Sequence, residues 1–217
     1  PLADRGDVFY AYVYTLEVAQ RVFVHDLAST LQVIDRDAKV QVDFNPEVVS
    51  RYRLLGYENR DVADEDFRNN AVDAGEVGAG QSVTALYEIA PPGAEVPGGK
   101  PIPLRYQEPG EATADAGSGE ILTLKIRYQE PRGSESRLLT FPLADPGETP
   151  VDEASEDFRF SAAVAAFGMV LRRSEHAGTA SWTLARDLAR GAMGRDPHGY
   201  RAEFVRLVAL AADLPER

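Results

Sequence analysis

The sequence predicts an α+β fold: an antiparallel β-sandwich followed by a C-terminal three-helix segment. Three observations carry that expectation. Between residues 30 and 145 apolar residues recur with a period of two, no helical stretch separates those runs, and after Pro150 the period becomes helical and stays so to the end. Strands in series without intervening helices lack the crossovers that a parallel sheet needs, so they pair antiparallel. A chain of 217 residues, 44% hydrophobic and 27% charged, is long enough to bury a sizeable core.

The opening stretch Val8-Phe9-Tyr10-Ala11-Tyr12-Val13-Tyr14 is aromatic and β-branched and reads as a strand. Thr15 is placed to cap a helix, and Leu16, Ala19, Phe23 and Leu27 follow at helical spacing. In Lys39-Val40-Gln41-Val42-Asp43-Phe44 apolar and polar residues alternate, as on a half-buried strand. The same alternation returns in Val83, Ala85, Tyr87 and Ile89; in Ile102, Leu104 and Tyr106; and in Leu122, Leu124, Ile126 and Tyr128. Leu139, Phe141 and Leu143 form a further short strand, which Pro142 assigns to an edge. Residues 91–100 (PPGAEVPGGK) and 110–119 (GEATADAGSG) read as loops.

Three helical stripes close the chain. Ser155 caps one carrying Phe160, Val164, Phe167 and Leu171; Thr179 caps a second with Trp182, Ala185, Leu188 and Ala192. Gly199 precedes a third with Tyr200, Phe204, Leu207, Val208, Ala211 and Leu214. Three short helices of this kind bundle together or cover the sandwich, and the one-sided stripes favour covering one end or face of it. The expected domains are a strand–helix tail over residues 1–29, a sandwich over 30–150 and a helical segment over 151–217.

Composition bounds the function. A net charge of −12 repels phosphate backbones and anionic lipid surfaces, which argues against nucleic acid and against the membrane surface. No apolar run reaches the roughly 20 residues of a membrane span. Cysteine is absent, which removes disulfides, thiol nucleophiles and cysteine-bound zinc. The first residue is Pro1, so the chain is expected to be a fragment or processed form, with localisation signals outside it.

Asp61, Asp64, Glu65 and Asp66 crowd one loop, with Glu58 and Asp73 nearby. Hard cations such as calcium want several oxygens from one flexible loop, but the spacing of an EF-hand is absent. The reading preferred here is structural: Asn59 and Arg60 fix a turn, Tyr57 and Phe67 bury their rings, and the carboxylates face water or turn amides. The glycine-rich run Asp73–Gly80 runs into a strand and has no lysine near it, so it reads as a turn or bulge needing positive φ rather than a phosphate loop. His25, His176 and His198 lie on separate segments without metal-ligand spacing, and no Gly-x-Ser-x-Gly elbow is present. Arg5-Gly6-Asp7 spells an adhesion tripeptide too short to carry weight. Arg-Tyr-Gln-Glu-Pro occurs twice, at 105–109 and 127–131, and reads as two similar strand ends. No catalytic, cofactor-binding or metal residue is assigned, and no cofactor is expected.

Several stretches together resemble one family. Tyr12-Val13-Tyr14-Thr15-Leu16-Glu17-Val18-Ala19 and Val22-Phe23-Val24 resemble the last strand and helix of a von Willebrand factor A (vWA) domain as they enter a bacterial C-terminal extension. Residues 37–46 (DAKVQVDFNP), 52–60 (YRLLGYENR), 73–76 (DAGE), 83–88 (VTALYE), 157–160 (DFRF) and 199–204 (GYRAEF) resemble that extension. The chain is thereby identified as a member of the C-terminal domains of unknown function in YfbK-like vWA proteins, over nearly its whole length from residue 8. The vWA metal motif Asp-x-Ser-x-Ser is absent from the chain, so no ligand-binding residue carries over. The resemblance implies a non-catalytic structural or protein-interaction module, working in cis with a vWA domain and an unidentified protein partner, in the cell envelope or outside the cytoplasm. The alternative is a calcium-dependent or carbohydrate surface binder using residues 58–76.

Overall fold

A computed structural model describes residues 12–13, 15–25, 32–57, 62, 64–70, 72, 74–94, 113–133 and 135–214. The chain divides into two compact units. One comprises residues 1–49, 60–83 and 100–144, the other residues 50–59, 84–99 and 145–217.

The first unit holds a four-stranded antiparallel sheet in the order β3-β1-β5-β6. Its strands are β1 (Val33–Phe44), β3 (Gly75–Gly78), β5 (Glu120–Gln129) and β6 (Ser136–Ala144). The alternating runs at 39–44, 122–128 and 139–143 are therefore strands, and Pro142 does sit on an edge strand. A proline fits there because its missing N–H can point away from β5 without breaking the ladder. Strand β1 bends: its register slips twice between Val33 and Lys39, and Asp37 takes a positive φ of 51°, as a bulged strand does.

Helix α1 (Leu16–Gln20) also belongs to this unit and continues into a π-helical turn, Arg21–His25. The Thr15 hydroxyl accepts from the Val18 N–H at 3.2 Å, which is the expected cap. The glycine-rich run corrects the expectation in part. Gly75–Gly78 form edge strand β3 against β1, and only Gly80, in the turn after it, needs positive φ (78°).

The second unit holds a two-stranded sheet and three helices. Strand β2 (Arg51–Leu55) pairs antiparallel with β4 (Leu86–Ala90), with Arg53 opposite Glu88 and joined to it by a salt bridge. Helices α2 (Glu156–Leu171), α3 (Trp182–Arg190) and α4 (Tyr200–Ala212) pack on one another around Ala166, Ala185 and Val208. Phe204 meets both Phe160 and Phe167 edge-on at 5.3 Å, and Phe167 meets Trp182 at 5.6 Å. Such contacts exceed their area burial by about 1 kcal/mol each. Ser155 caps α2 by accepting from the Phe158 N–H at 3.2 Å. The cap of α3 is Ser181, accepting from Leu184 at 3.1 Å, and not Thr179. The cap lies two residues later than expected because Gly178 and Thr179 form a turn closed by the Ala180 N–H on the Ala177 carbonyl at 2.8 Å.

The α+β class thus stands, with antiparallel sheet preceding C-terminal helices. Among its described residues neither unit contains two sheets packed face to face. The strand expected over residues 83–89 forms at Leu86–Ala90 and pairs with β2 rather than joining the four-stranded sheet. The expected strand and loop at 101–112, and Val8–Ala11, lie outside the described residues.

Candidate interaction surface

The two faces of the four-stranded sheet differ, and the difference follows from register. Val40 lies opposite Ile126, Val42 opposite Leu124 and Phe44 opposite Leu122. Ile126, Leu124 and Leu122 in turn face Leu139, Phe141 and Leu143. Residues paired across strands project to the same side, so three parallel rows put nine apolar side chains on one face. Four of the nine are exposed, Val40 at 62%, Leu139 at 41%, Phe141 at 49% and Leu143 at 53%, and the other five, Val42, Phe44, Leu122, Leu124 and Ile126, are half-buried.

The opposite face carries Lys39, Gln41, Asp43, Thr123, Lys125 and Arg127; chain covers it at the Lys39 end, while Asp43 stays exposed. A 3-10 turn, Asp64–Arg68, and the residues after it lie over Lys39, which is only 3% exposed. The Lys39 ammonium donates to the carbonyls of Asp66 at 3.2 Å and Asn69 at 2.5 Å. Arg127 and the Ser136 hydroxyl both reach the Asn70 side-chain oxygen, and Lys125 pairs with Asp43 at 2.9 Å. A buried ammonium must be hydrogen-bonded, and carbonyls at the end of a helical turn are suited to it.

This arrangement accounts for part of the acidic loop. Phe67 is buried, as expected, under the polar face. The Asp66 carboxylate accepts from the Asn69 amide at 2.9 Å, so it serves the turn. Tyr57 departs from expectation. Its ring is 41% exposed and its φ is 63°, and it is held by donating its hydroxyl to the Thr84 carbonyl at 3.0 Å. Glu58, Asn59, Arg60, Asp61 and Asp73, and the side chains of Asp64 and Glu65, lie outside the description. Among the described residues no group of three His, Cys, Asp or Glu side chains converges as a metal site would.

The remaining sequence candidates stay apart. His176 lies in a loop, with its imidazole beside Glu175 at 3.6 Å, and its carbonyl accepts from Arg53. His198 stacks at a tilt on Tyr200, 5.6 Å between rings. The second Arg-Tyr-Gln-Glu-Pro copy ends β5, where Tyr128, Glu130 and Pro131 line an open cleft with Ile34, Asp35 and Arg132. Glu130 there already pairs with Arg137 at 2.7 Å. Residues 105–109, Arg5-Gly6-Asp7 and the His25 side chain lie outside the description.

One residue escaped the sequence reading. Asp196 accepts from the Ala202 N–H at 3.0 Å across the turn that Gly199 closes with φ 74°. That bond, with the Arg201 and Tyr200 amides and the Arg201 charge, holds its carboxyl below the ordinary value against a smaller opposing effect of desolvation. Arg201 is anchored in turn by the Ala192 carbonyl at 2.7 Å, by Asp157 and by the face of Phe160 at 4.8 Å. An acidic residue three positions before a helix-entering glycine was the available signal.

Comparison with known proteins adds family and extent. Residues 29–214 match a family model described as "Uncharacterized protein YfbK, C-terminal". The chain is 42% identical over 210 residues to the "Uncharacterized protein YfbK" of Escherichia coli (strain K12). The match covers 97% of this chain and 35% of that relative, so the chain spans about a third of the relative's length. No solved structure matches. Among the described residues no helix is long and apolar enough to cross a membrane.

Proposed function

Since the chain belongs to the YfbK C-terminal family, we propose that it is a non-catalytic interaction module, and that the apolar face of its four-stranded sheet docks a vWA domain of the same polypeptide. One observation carries the reading: Val40 on β1 and Leu139, Phe141 and Leu143 on β6 stand exposed on the apolar face of the sheet, while on the other face Lys39 is buried under chain. The exposed part of Val40, Leu139, Phe141 and Leu143 amounts to a few hundred Å², on the scale of patches that mark interaction sites. Covering each of the four would contribute about 1 kcal/mol. The edge is guarded by Pro142, so the partner meets the sheet on its face and does not extend it as a further strand.

Two further points support a partner in cis. Leu16 and Phe23, two positions of the helical stripe after Thr15, are both exposed, as expected of a helix whose parent sheet lies elsewhere. In the Escherichia coli relative most of the length lies outside the matched region. We therefore read residues 1–29 as the tail of the vWA domain, and the rest as its extension in the cell envelope.

The test uses the longer natural polypeptide. Hydrogen exchange of β5 and β6 amides and cross-linking to the preceding region are compared for wild type and Phe141→Asp. The reading expects cross-links from β6 that Phe141→Asp removes while the melting curve of this region stays unchanged. Cross-links indifferent to Phe141→Asp, or none from β6, would overturn it.

A further inference from the structure

Helix α4 has two apolar sides. Phe204 and Val208 face the core with α2 and α3. Leu207, Leu210 and Leu214 follow at spacings of three and four, so they stack along one stripe, and they are 49%, 65% and 68% exposed. Asp213 keeps a helical backbone (φ −85°, ψ −8°), and the Leu214 N–H bonds to the Ala211 carbonyl, so the stripe runs through the closing turn.

Arg206 and Asp213 lie seven residues apart, two turns, on one flank of that stripe. Both are exposed, and among the described residues neither side chain has an ion-pair partner. Asp213 sits where the helix dipole disfavours a carboxylate, because the C-terminal end already carries partial negative charge.

These positions are self-complementary. When two copies of α4 are laid antiparallel about Leu210, Leu210 meets Leu210, and Leu207 and Leu214, like Arg206 and Asp213, come within one residue's rise, about 1.5 Å, of level. A two-fold axis gives each pair twice, and in antiparallel helix pairs the same flank of each helix meets itself, as these opposite charges require. We propose that two copies of this chain associate through α4, antiparallel, with the leucine stripe as the seam and reciprocal Arg206–Asp213 ion pairs on its flank. The seam is independent of the sheet face. Three leucines a copy make it smaller than a standard interface, so the association is weak and shows only at high concentration.

Sedimentation equilibrium of the chain across about 10 μM to 1 mM tests it. The expected result is a concentration-dependent rise from monomer toward dimer mass. Leu210→Asp, at an exposed position that leaves the circular dichroism melt unchanged, raises the dissociation constant about tenfold or more. Arg206→Asp weakens association several-fold by setting two carboxylates face to face. Arg206→Asp with Asp213→Arg restores it to within about twofold, because the swapped pair is again opposite in sign. A strict monomer throughout overturns the proposal. So does a dimer that Leu210→Asp leaves intact, above all one that Leu139→Asp abolishes, since that dimer uses the sheet face. A double swap no better than Arg206→Asp overturns the register.

Discussion

The Lys39 ammonium donates to the Asn69 carbonyl at 2.5 Å from a side chain that is nearly sealed from water. A lysine in an alternating strand is ordinarily the solvent-facing residue. Here it is covered, and the valine beside it, Val40, is left exposed. At these two positions the usual polarity of side chains is reversed: the lysine is packed and the valine is open to solvent.

Lys39→Met keeps the stem and removes the ammonium, so the Asp66 and Asn69 carbonyls lose their donor. Urea unfolding should register a loss of about 1–3 kcal/mol. An unchanged midpoint would mean that water serves those carbonyls as well.

Calcium should leave the melting temperature unchanged at millimolar concentration. The carbonyls at the end of the 64–68 turn already hold a cation of the chain's own, and Asp66 is engaged by Asn69. A ligand that binds only the folded state must raise the melting temperature. A rise that Asp64→Ala abolishes would restore the calcium reading of residues 58–76.

Asp196 introduces a pH dependence at the low end. Its folded-state carboxyl lies below the ordinary 3.8, so its charge contributes stability that is fully present above 3.8 and lost as pH falls through the lower folded value. Asp196→Asn keeps a cap-forming oxygen without the charge. Melting temperature plotted against pH should fall less steeply on the acid side for Asp196→Asn than for wild type, and parallel curves would refute the assignment.

Helix capping separates two neighbouring hydroxyls. Ser181→Ala and Ser155→Ala each remove an observed bond to a helix N–H and should each cost about 1 kcal/mol. Thr179→Ala, two residues before the α3 cap, should cost a few tenths at most. Thermal unfolding of the three variants in parallel decides it.

Local regularities were legible in the residues themselves. The period-two runs at 39–44, 122–128 and 139–143, the edge position of Pro142, the Thr15 and Ser155 caps and the helical stripes after Pro150 depend on side chains a few positions apart. Such neighbours interact however the rest of the chain is arranged. Family membership was legible in the same way, through runs such as 52–60. Other features needed partners distant in sequence. Nothing near Val83 says that residues 86–90 pair with 51–55, and nothing near Gly75 says that a glycine-rich run lies along β1. The alternation of Val40, Val42 and Phe44 marks an apolar side but cannot say that Leu122, Leu124, Ile126, Leu139, Phe141 and Leu143 share it, nor that chain covers Lys39 on the other side. Strand register and layer assignment are settled by pairings across tens of residues, where one slip of register moves every side chain to the opposite face. The sequence by itself therefore determined the helices, strands β1, β4, β5 and β6 and which side of each is apolar, while β2 and β3 carry no period that marks them as strands. Only the tertiary structure decided which of those apolar side chains stay exposed, because that depends on pairing and packing between segments tens of residues apart.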